Sequence, residues 1–426
     1  METINSIEEK IMRGELDTLL TDVYVDEKKI PYEKERYLKA LKSFGEYFDE
    51  KEVGLYSAPG RTEVGGNHTD HQHGEVLCAS INDDAIAVVS GADDIRVLSE
   101  GYDMITIGPN ELDKAKEEEG TTRAIIKGVV GGLKKRGYKA GGFHAYITSD
   151  VLQGSGLSSS AAFETIIGTV ISGLYNDMKV SPVVIAQVGQ YAENEYFGKP
   201  CGLMDQMACS VGSLCHIDFK DNDDPKVEKV DFDFNSAGYT LCITDTKGSH
   251  ADLTDEYAAI PAEMKKVAAV LGREVLEGTA VDDLTEHAAE IREKCGDRAF
   301  LRAMHFVNEN IRVRNEVNAL KEGNITEFFK NVKASGDSSF KYLQNVYTNK
   351  DVEHQNVSVA LAISDLILKC PDCGVSRVHG GGFAGTMQAF VRKDLAEKYM
   401  EAEDQIFGQG ACRVYQIRRF GGMKLI

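Results

Sequence analysis

The chain lacks several features that define large classes of proteins. No stretch reaches the roughly 18 uninterrupted apolar residues of a transmembrane helix, and the first 20 residues carry charges where a signal peptide has an apolar core. No long basic run interrupts the excess of 68 acidic over 48 basic residues, which gives a net charge of −20. We therefore expect a cytoplasmic protein with neither a membrane nor a nucleic acid as a partner.

Two further absences limit the chemistry. The nine cysteines are scattered, and the close pair Cys370 and Cys373 has no second pair to complete a four-ligand zinc site, so we expect reduced thiols. A Walker A sequence is also missing, because the pair Gly198-Lys199 is followed by Pro200. A nucleotide-dependent kinase built on this sequence would need another phosphate loop.

Length and residue patterning predict an α+β protein with two lobes, since 426 residues exceed the usual size of one domain. Residues 3–50 show apolar positions at helical spacing, which predicts two or three covering helices. An acidic stretch near residue 225 predicts a surface hairpin and a soft boundary between an N-terminal lobe, 1–225, and a C-terminal lobe, 226–426. Beyond residue 50, strands are expected at 53–58, 85–90, 95–98, 142–148, 239–246, 375–378, 386–391 and 413–417, and helices at 121–136, 161–175, 182–197 and through most of 254–340.

The octet Gly-Ser-Gly-Leu-Ser-Ser-Ser-Ala at residues 154–161 is the most informative segment, because it runs directly into a predicted helix. Gly154 and Gly156 permit close backbone approach, and the first amides of a helix lack intrahelical acceptors, so such a loop can cradle a phosphate. Its serine hydroxyls can ligate a magnesium ion. Taken alone, the octet also fits an ordinary loop capped by serine.

Residues 59–71 form a second segment, in which glycines alternate with an arginine, acids, an amide, a threonine and imidazoles after a predicted strand. A sugar presents hydroxyls at fixed angles and needs matched donors and acceptors, so this density of polar groups favours a sugar-binding loop. A solvated turn is the alternative that the same residues allow.

Two carboxylates stand out further along the chain. Asp205, within Cys-Gly-Leu-Met-Asp-Gln-Met at 201–207, can accept a hydroxyl proton or simply mark a helix N-terminus. Glu193 can supply a metal-binding oxygen or be an ordinary surface glutamate. The run Gly-Gly-Gly-Phe-Ala-Gly at 380–385 matches a dinucleotide-binding pattern, but a strand follows it instead of a helix, so a glycine hairpin that touches a ligand fits better.

In this order, the segments resemble the signature motifs of the GHMP small-molecule kinases, and in particular the galactokinase branch of that family. Gly-Arg-x-x-x-x-Gly-x-His-Thr-Asp occupies residues 60–70, the phosphate loop 154–161, Cys-Gly-x-Met-Asp-Gln 201–206, and the glycine-rich third motif 377–383. The resemblance implies a two-lobed α+β fold with the site between the lobes. It also implies transfer of a phosphoryl group from ATP, with Mg²⁺, to the anomeric hydroxyl of galactose.

Roles follow from this resemblance by position. Asp205 would be the catalytic carboxylate and Arg61 would stabilise the transferring phosphate, while Ser160 and Glu193 would hold Mg²⁺. The sugar would be contacted by Asn67, His68, Thr69, Asp70 and Tyr257. ATP would lie against Gly154, Ser155, Gly156, Leu157, Ser158, Ser159 and Ser160.

The chain departs from the family pattern mainly on the sugar side. Galactokinases carry Glu just before His-Thr-Asp, where this chain has Asn67, and Val-Asn after Gly-Arg, where it has Thr62-Glu63. His71 and Leu152 replace a tyrosine and a proline. Alternative hypotheses are thus a kinase for arabinose, an N-acetylhexosamine or a uronic acid, and a non-catalytic sensor of galactose and ATP. The complete serine run at 158–160 argues against the sensor.

Overall fold

The computed structural model of the protein describes residues 1–151, 156–248, 253–383 and 385–426. Within these ranges the chain combines helices with mixed sheets, so the α+β prediction is confirmed. The helices are α1 (Ile4–Met12), α2 (Asp17–Tyr24), α3 (Ile30–Tyr47), α4 (Thr122–Lys135), α5 (Ser159–Tyr175), α6 (Pro182–Tyr191), α7 (Met204–Val211), α8 (Thr254–Val270), α9 (Val281–Glu286), α10 (Ala288–Cys295), α11 (Asp297–Lys321), α12 (Ile325–Ser338), α13 (Asn356–Ile367) and α14 (Ala396–Phe407). Two π-helical turns, Ala192–Phe197 and Ser339–Leu343, follow α6 and α12.

The strands are β1 (Glu2–Thr3), β2 (Glu52–Gly65), β3 (Glu75–Ala92), β4 (Ile95–Ser99), β5 (Ile105–Ile107), β6 (Gly142–Ser149), β7 (Leu214–Asp218), β8 (Lys226–Lys229), β9 (Tyr239–Asp245), β10 (Gly374–Val378), β11 (Thr386–Arg392), β12 (Cys412–Tyr415) and β13 (Met423–Lys424). Among the described residues, they form a nine-stranded sheet in the order β1-β2-β3-β6-β4-β5 and a four-stranded sheet in the order β10-β11-β9-β12. In the larger sheet, β7 and β13 pair with β3 and β2, and β8 pairs with β7.

The large sheet is covered on both faces because its central strands bury alternate residues on opposite sides. Ile86 and Val88 of β3 pack with α1, α2 and α3, whose buried residues include Phe44. Ala87 and Val89, one residue out of phase, pack instead with α4, α5 and α6. The prediction of helices over residues 3–50 is confirmed, and these helices form one apolar layer of the lobe.

The small sheet is packed in the same way. One face of β9 and β11 presents Cys242 and Ala389 to α13 and α14. The other face presents Leu241 and Phe390 to α11 and α12, in a core that also includes Val64 of β2. Because this core contains residues of both sheets, the two halves of the chain bury apolar surface against one another.

The two predicted hairpins are confirmed. The acidic stretch lies between β7 and β8, which pair antiparallel with Asp218 opposite Lys226. The glycine-rich run joins β10 to β11, which pair antiparallel with Val378 opposite Met387. Since β11 follows the glycines directly, a dinucleotide-binding βαβ unit is excluded at this position.

Strand β2 is longer than predicted. Residues 61–65 were expected in a loop, but they continue β2 and pair with β3, with Arg61 opposite Ser80 and Gly65 opposite Leu77. The register of the pairing shifts between Pro59, which lies opposite Asp84, and Arg61, so the ladder is irregular at this point. Such an irregularity changes the direction of the side chains next to it. The Arg61 side chain therefore projects from a strand that is paired with β3, not from an unpaired loop.

The cysteine prediction is wrong for one pair. Cys370 and Cys373 form a disulfide in the turn between α13 and β10, whereas the other seven cysteines are free, as expected. The C-terminal segment of the chain returns to the large sheet, where β13 pairs with β2 and Ile417 forms a bridge with Ile81. The large sheet therefore contains strands from both ends of the chain. The boundary at residue 225 stays a prediction. None of the helices in the described ranges is long and apolar enough to cross a membrane.

A buried ionic cluster joins the N-terminal helices to the last residues of the chain. Asp84 of β3 is fully buried and accepts hydrogen bonds from Tyr24, Arg36, Ser57 and Arg418. Burial raises the pKa of Asp84, but the two guanidinium groups outweigh this effect and hold the pKa below its usual range. The cluster therefore fixes α2, α3, both long strands and the C-terminal segment to one another.

Candidate active site

The centre of the candidate site is an ion pair between Arg61 and Asp205, which are brought together by β2 and the first turn of α7. Arg61 Nε lies 2.6 Å from Asp205 Oδ1, and Arg61 Nη2 lies 2.7 Å from Oδ2. Such a bidentate pair fixes both the distance and the orientation of the two groups. Arg61 is buried, whereas about a third of the Asp205 side chain is exposed, at 34%.

The charge state of Asp205 follows from its neighbours. Burial raises the pKa of Asp205. The charge and hydrogen bonds of Arg61, together with a hydrogen bond from Ser158, outweigh this effect, so that the pKa lies below its usual range. Asp205 is therefore ionised at neutral pH. It is an accessible anion that can accept a hydrogen bond from a ligand.

The described end of the phosphate loop contacts this pair directly. Ser158 donates its hydroxyl hydrogen to Asp205 Oδ2, and Arg61 Nη1 donates to the carbonyl oxygen of Gly156 at 2.6 Å. Gly156 has a φ of +70°, and a Cβ at this position would overlap Thr386 of β11. Glycine is thus required here for both its backbone conformation and its small size. Gly154 and Ser155 lie outside the described residues.

Helix α5 begins immediately after this loop. Ser158 is its N-cap residue but makes no capping hydrogen bond to the first-turn amides, and the first turn carries no acidic residue. Leu157 is buried in the core, while Ser159 is half-buried and Ser160 is exposed. The first turn of α5 can therefore receive an anion, as the sequence predicts.

Two carboxylates meet behind the serine loop. The amide nitrogen of Gln206 donates to Glu193 Oε2 and to Glu164 Oε2, at 3.0 Å in each case. Both glutamates are buried, and Glu164 Oε1 has no hydrogen-bond partner. Burial and the charge of Glu193 raise the pKa of Glu164 well above its usual range. The two carboxylates share a single amide donor, so they have more acceptor oxygens than donors. A divalent cation next to Glu193 fits this arrangement.

Glu164 was not among the predicted site residues. It follows Ser160 by four positions on α5, so the two side chains share one face of the helix. The spacing from Ser160 could have indicated Glu164 as a site residue. Helical periodicity alone predicts only that residue 164 lies in the middle of a helix. The partner Glu193 comes from the π-helical turn after α6, a contact that the sequence does not reveal.

In the predicted sugar-binding loop, His68 and Asp70 lie at half-buried positions near the other segments of the site. His68 donates from Nε2 to the carbonyl oxygen of Gly381 at 3.0 Å, and burial together with His71 lowers the pKa of His68 to about 4. Its imidazole is therefore neutral at pH 7. Asp70 Oδ2 accepts a hydrogen bond from the amide of Met204 at 3.2 Å, one residue before Asp205.

The other two residues of this loop are turned into the protein. The Thr69 hydroxyl makes hydrogen bonds to the carbonyl oxygens of Gly66 and Glu75, at 2.8 and 2.7 Å. Asn67 is also fully buried, and its side-chain amide is hydrogen-bonded within the protein. Neither side chain presents a polar atom to solvent, and their contact with a sugar stays a prediction.

Tyr257 joins the site from the first turn of α8. Its hydroxyl donates to the carbonyl oxygen of Gly382 at 2.8 Å, and its ring packs edge-on against Phe383. A Cβ at Gly381 would lie 2.5 Å from the ring, so the glycine hairpin and Tyr257 are in close contact. The structure thus places Tyr257 beside the same hairpin that receives His68.

His379 is a further residue that the sequence did not indicate. Its Nε2 accepts a hydrogen bond from the amide of Glu63 at 3.2 Å, and its Nδ1 lies 2.9 Å from the Thr386 hydroxyl. Burial and the charges of Arg61 and Arg377 lower the pKa of His379 well below its usual range. This neutral imidazole ties β2 to the glycine hairpin directly behind Arg61.

Comparisons with known proteins agree with this geometry. The GHMP kinase N-terminal domain model matches residues 124–213, and the galactokinase galactose-binding signature matches residues 42–91. The galactokinase of Streptomyces coelicolor is 30% identical over 380 residues, which cover 88% of this chain and 94% of that protein. The galactokinase of Lactobacillus helveticus is 29% identical over 377 residues and is covered to 93%.

Solved structures show the same fold. The crystal structure of Lactococcus lactis galactokinase complexed with galactose matches with a TM-score of 0.77 and 25% identity, over 90% of this chain and 98% of that chain. Methanococcus jannaschii mevalonate kinase matches with a TM-score of 0.58 and 14% identity, over 86% of this chain and 98% of that chain. The second similarity concerns the fold alone.

Proposed function

Because this chain belongs to the galactokinase family of GHMP kinases, we propose that it transfers the γ-phosphoryl group of ATP to the anomeric hydroxyl of galactose. The observation that carries the proposal is the Arg61–Asp205 pair at the end of the serine loop. This pair places an anion for the sugar hydroxyl and a cation for the phosphoryl group side by side. Kinase chemistry needs both groups at one point.

In the proposed reaction, the anomeric oxygen attacks the γ-phosphorus and the bond to the β–γ bridging oxygen breaks, so that ADP leaves. Asp205 accepts the hydrogen bond of the hydroxyl and orients its oxygen, and the proton leaves through Asp205 or solvent. The low pKa of Asp205 makes it a weak base. Orientation is therefore its main contribution, which suits a loose transition state in which early deprotonation matters little.

Arg61 serves the transferring group. In this structure its guanidinium donates hydrogen bonds to Asp205 and to the Gly156 carbonyl oxygen. Negative charge on the γ-phosphoryl oxygens competes for these donors when ATP is bound. An arginine in this role contributes on the order of 10³ to 10⁵ in rate in phosphoryl-transfer enzymes.

ATP is proposed to lie against the serine loop and the first turn of α5, with Ser160 and Glu193 holding Mg²⁺. When bound, Mg²⁺ neutralises charge on the phosphates. Gln206 orients the Glu193 carboxylate, and Lys199 Nζ lies 3.4 Å from Glu193 Oε1. On the sugar side, His68, Asp70 and Tyr257 are the proposed contacts, while Asn67 and Thr69 support the loop from within.

The test is an ATP-dependent phosphorylation assay on a panel of free sugars. We expect the parent to phosphorylate galactose, and we expect Asp205→Asn to lower kcat by about 10² to 10⁴, because the amide loses the negative charge that orients the hydroxyl and pairs with Arg61. Asp221→Asn, at the exposed tip of the β7–β8 hairpin, is the matched control and should retain the parent rate. Reaction of another sugar in place of galactose would overturn the substrate, and binding of galactose and ATP without turnover would indicate a sensor.

A further inference from the structure

The Asn67 side chain is fully committed to protein partners. Its amide nitrogen lies 2.9 Å and 3.2 Å from the two carboxylate oxygens of Glu63, and donates to the Gly380 carbonyl oxygen at 2.7 Å. Its amide oxygen accepts from Ser339 at 3.1 Å and from Asn345 at 2.8 Å. The side chain thus joins β2, the glycine hairpin and the turn after α12, and each of its polar atoms has a protein partner.

Glu63 is the carboxyl member of this contact. It is buried, and its carboxylate accepts from Arg377 Nη2 at 2.6 Å in addition to Asn67. Arg377 is itself fully buried and also donates to the Val64 carbonyl oxygen at 2.8 Å. A buried carboxylate is tolerated here because one guanidinium and one amide satisfy it.

These two side chains occupy two of the positions at which the sequence departs from the family pattern. The pattern has an amide at position 63 and a carboxylate at position 67, whereas this chain has Glu63 and Asn67. Since the side chains are hydrogen-bonded to each other, the two departures preserve one carboxylate and one amide in a single contact.

We propose that Glu63 and Asn67 are an exchanged carboxylate–amide pair that positions the sugar-binding loop, so that Asn67 does not redirect the enzyme from galactose to another sugar. The inference rests on the proposed galactokinase function. The pair acts through its neighbours: the carbonyl oxygen of Asn67 lies 3.0 Å from His305 Nε2, and the next residue, His68, reaches Gly381. Both residues are positioning residues and touch no reacting atom.

The geometry predicts that either residue changed alone is harmful. Asn67→Asp brings a second carboxylate against Glu63 and removes the donor to the Gly380 carbonyl oxygen. Glu63→Gln removes the charge opposite Arg377, which is left buried and unpaired. Glu63→Gln combined with Asn67→Asp restores one carboxylate and one amide in the contact with almost no change of side-chain volume.

The experiment measures the melting temperature without ligands and the KM values for galactose and ATP in the parent, both single variants and the double variant. We expect each single change to lower the melting temperature and to raise KM for galactose at least tenfold, with KM for ATP within twofold of the parent. The double variant should recover KM for galactose to within threefold of the parent. Glu75→Gln, a buried glutamate paired with Arg314, is the control that should not rescue Asn67→Asp.

Three results would overturn the inference. In the double variant the shifts of melting temperature could add and the changes in KM could multiply, which would show that the residues do not act as a pair. The single changes could leave KM for galactose at the parent value, which would show that the pair does not position the loop. Asn67→Asp could shift the parent from another sugar to galactose, which would make residue 67 the selector. Lack of galactose turnover in the parent would instead defeat the proposed function, whereas the melting temperatures still test the pair.

Discussion

At the scale of single residues, a buried histidine links the sugar-binding loop to helices α11 and α12. His305 of α11 is fully buried, with Nε2 facing the Asn67 carbonyl oxygen and Nδ1 lying 2.9 Å from the Ser338 hydroxyl. Burial lowers the pKa of His305 to about 4, and the charge of Arg312 adds to this effect. The folded protein thus holds a neutral imidazole at a pH where the unfolded chain takes up a proton.

This difference predicts a pH-dependent stability. Between about pH 6.5 and 4 the unfolded state binds the proton first, so the contribution of His305 to the free energy of unfolding falls as the pH falls, by about 1.4 kcal/mol per pH unit. We expect the parent to lose about 2 kcal/mol relative to His305→Gln between pH 7 and pH 5 in urea unfolding. Other titrating groups cancel in this comparison. An identical difference between the two proteins at both pH values would contradict the prediction.

At the scale of elements, the phosphate loop is held against β11 by a glycine. We expect Gly156→Ala to cost about 1 to 2 kcal/mol for the left-handed backbone, and to raise KM for ATP more than tenfold because its Cβ displaces the loop from Thr386. Gly120→Ala is the matched control, because Gly120 has a φ of +80° and no atom within 4 Å of the added Cβ. Urea unfolding and the KM for ATP separate the two effects, and equal KM values in both variants would refute the steric argument.

The elements also show what the sequence could predict. Helix α5 (Ser159–Tyr175) agrees closely with the predicted helix at 161–175, because helical periodicity depends on residues that are near in the chain. Strand β2 was predicted too short, since residues 61–65 are held in the sheet by β3, a long-range partner. The burial of Asn67 was missed for the same reason, because its partners Asn345 and Gly380 lie 278 and 313 residues away in sequence. Motif resemblance predicted Arg61 and Asp205 as site residues, whereas their direct ion pair could be seen only in the fold.

At the scale of the whole molecule, the C-terminal residues complete the N-terminal sheet. Arg418 pairs with Asp84 at 2.9 Å, and Lys424 of β13 lies opposite Tyr56 of β2. We expect deletion of residues 417–426 to destabilise the protein by at least about 3 to 5 kcal/mol, because Asp84 loses a buried cationic partner. Hydrogen exchange should show lost protection in β2 and β3 before β10 and β11, and full-length Arg418→Met isolates the ion pair. Loss confined to the small sheet would contradict this assignment.

The same return of the chain end has a consequence for how the protein is made. Ribosomes synthesise the chain from its N-terminus, so β2 and Asp84 emerge well before Arg418, which follows Asp84 by 334 residues, and before β13. A nascent chain therefore carries an open sheet edge and an incompletely paired acid until Arg418 and β13 have been synthesised. A copy that stops before Arg418 leaves β2 unpaired at this edge and Asp84 without one of its two cationic partners, which makes it a substrate for chaperones and proteases.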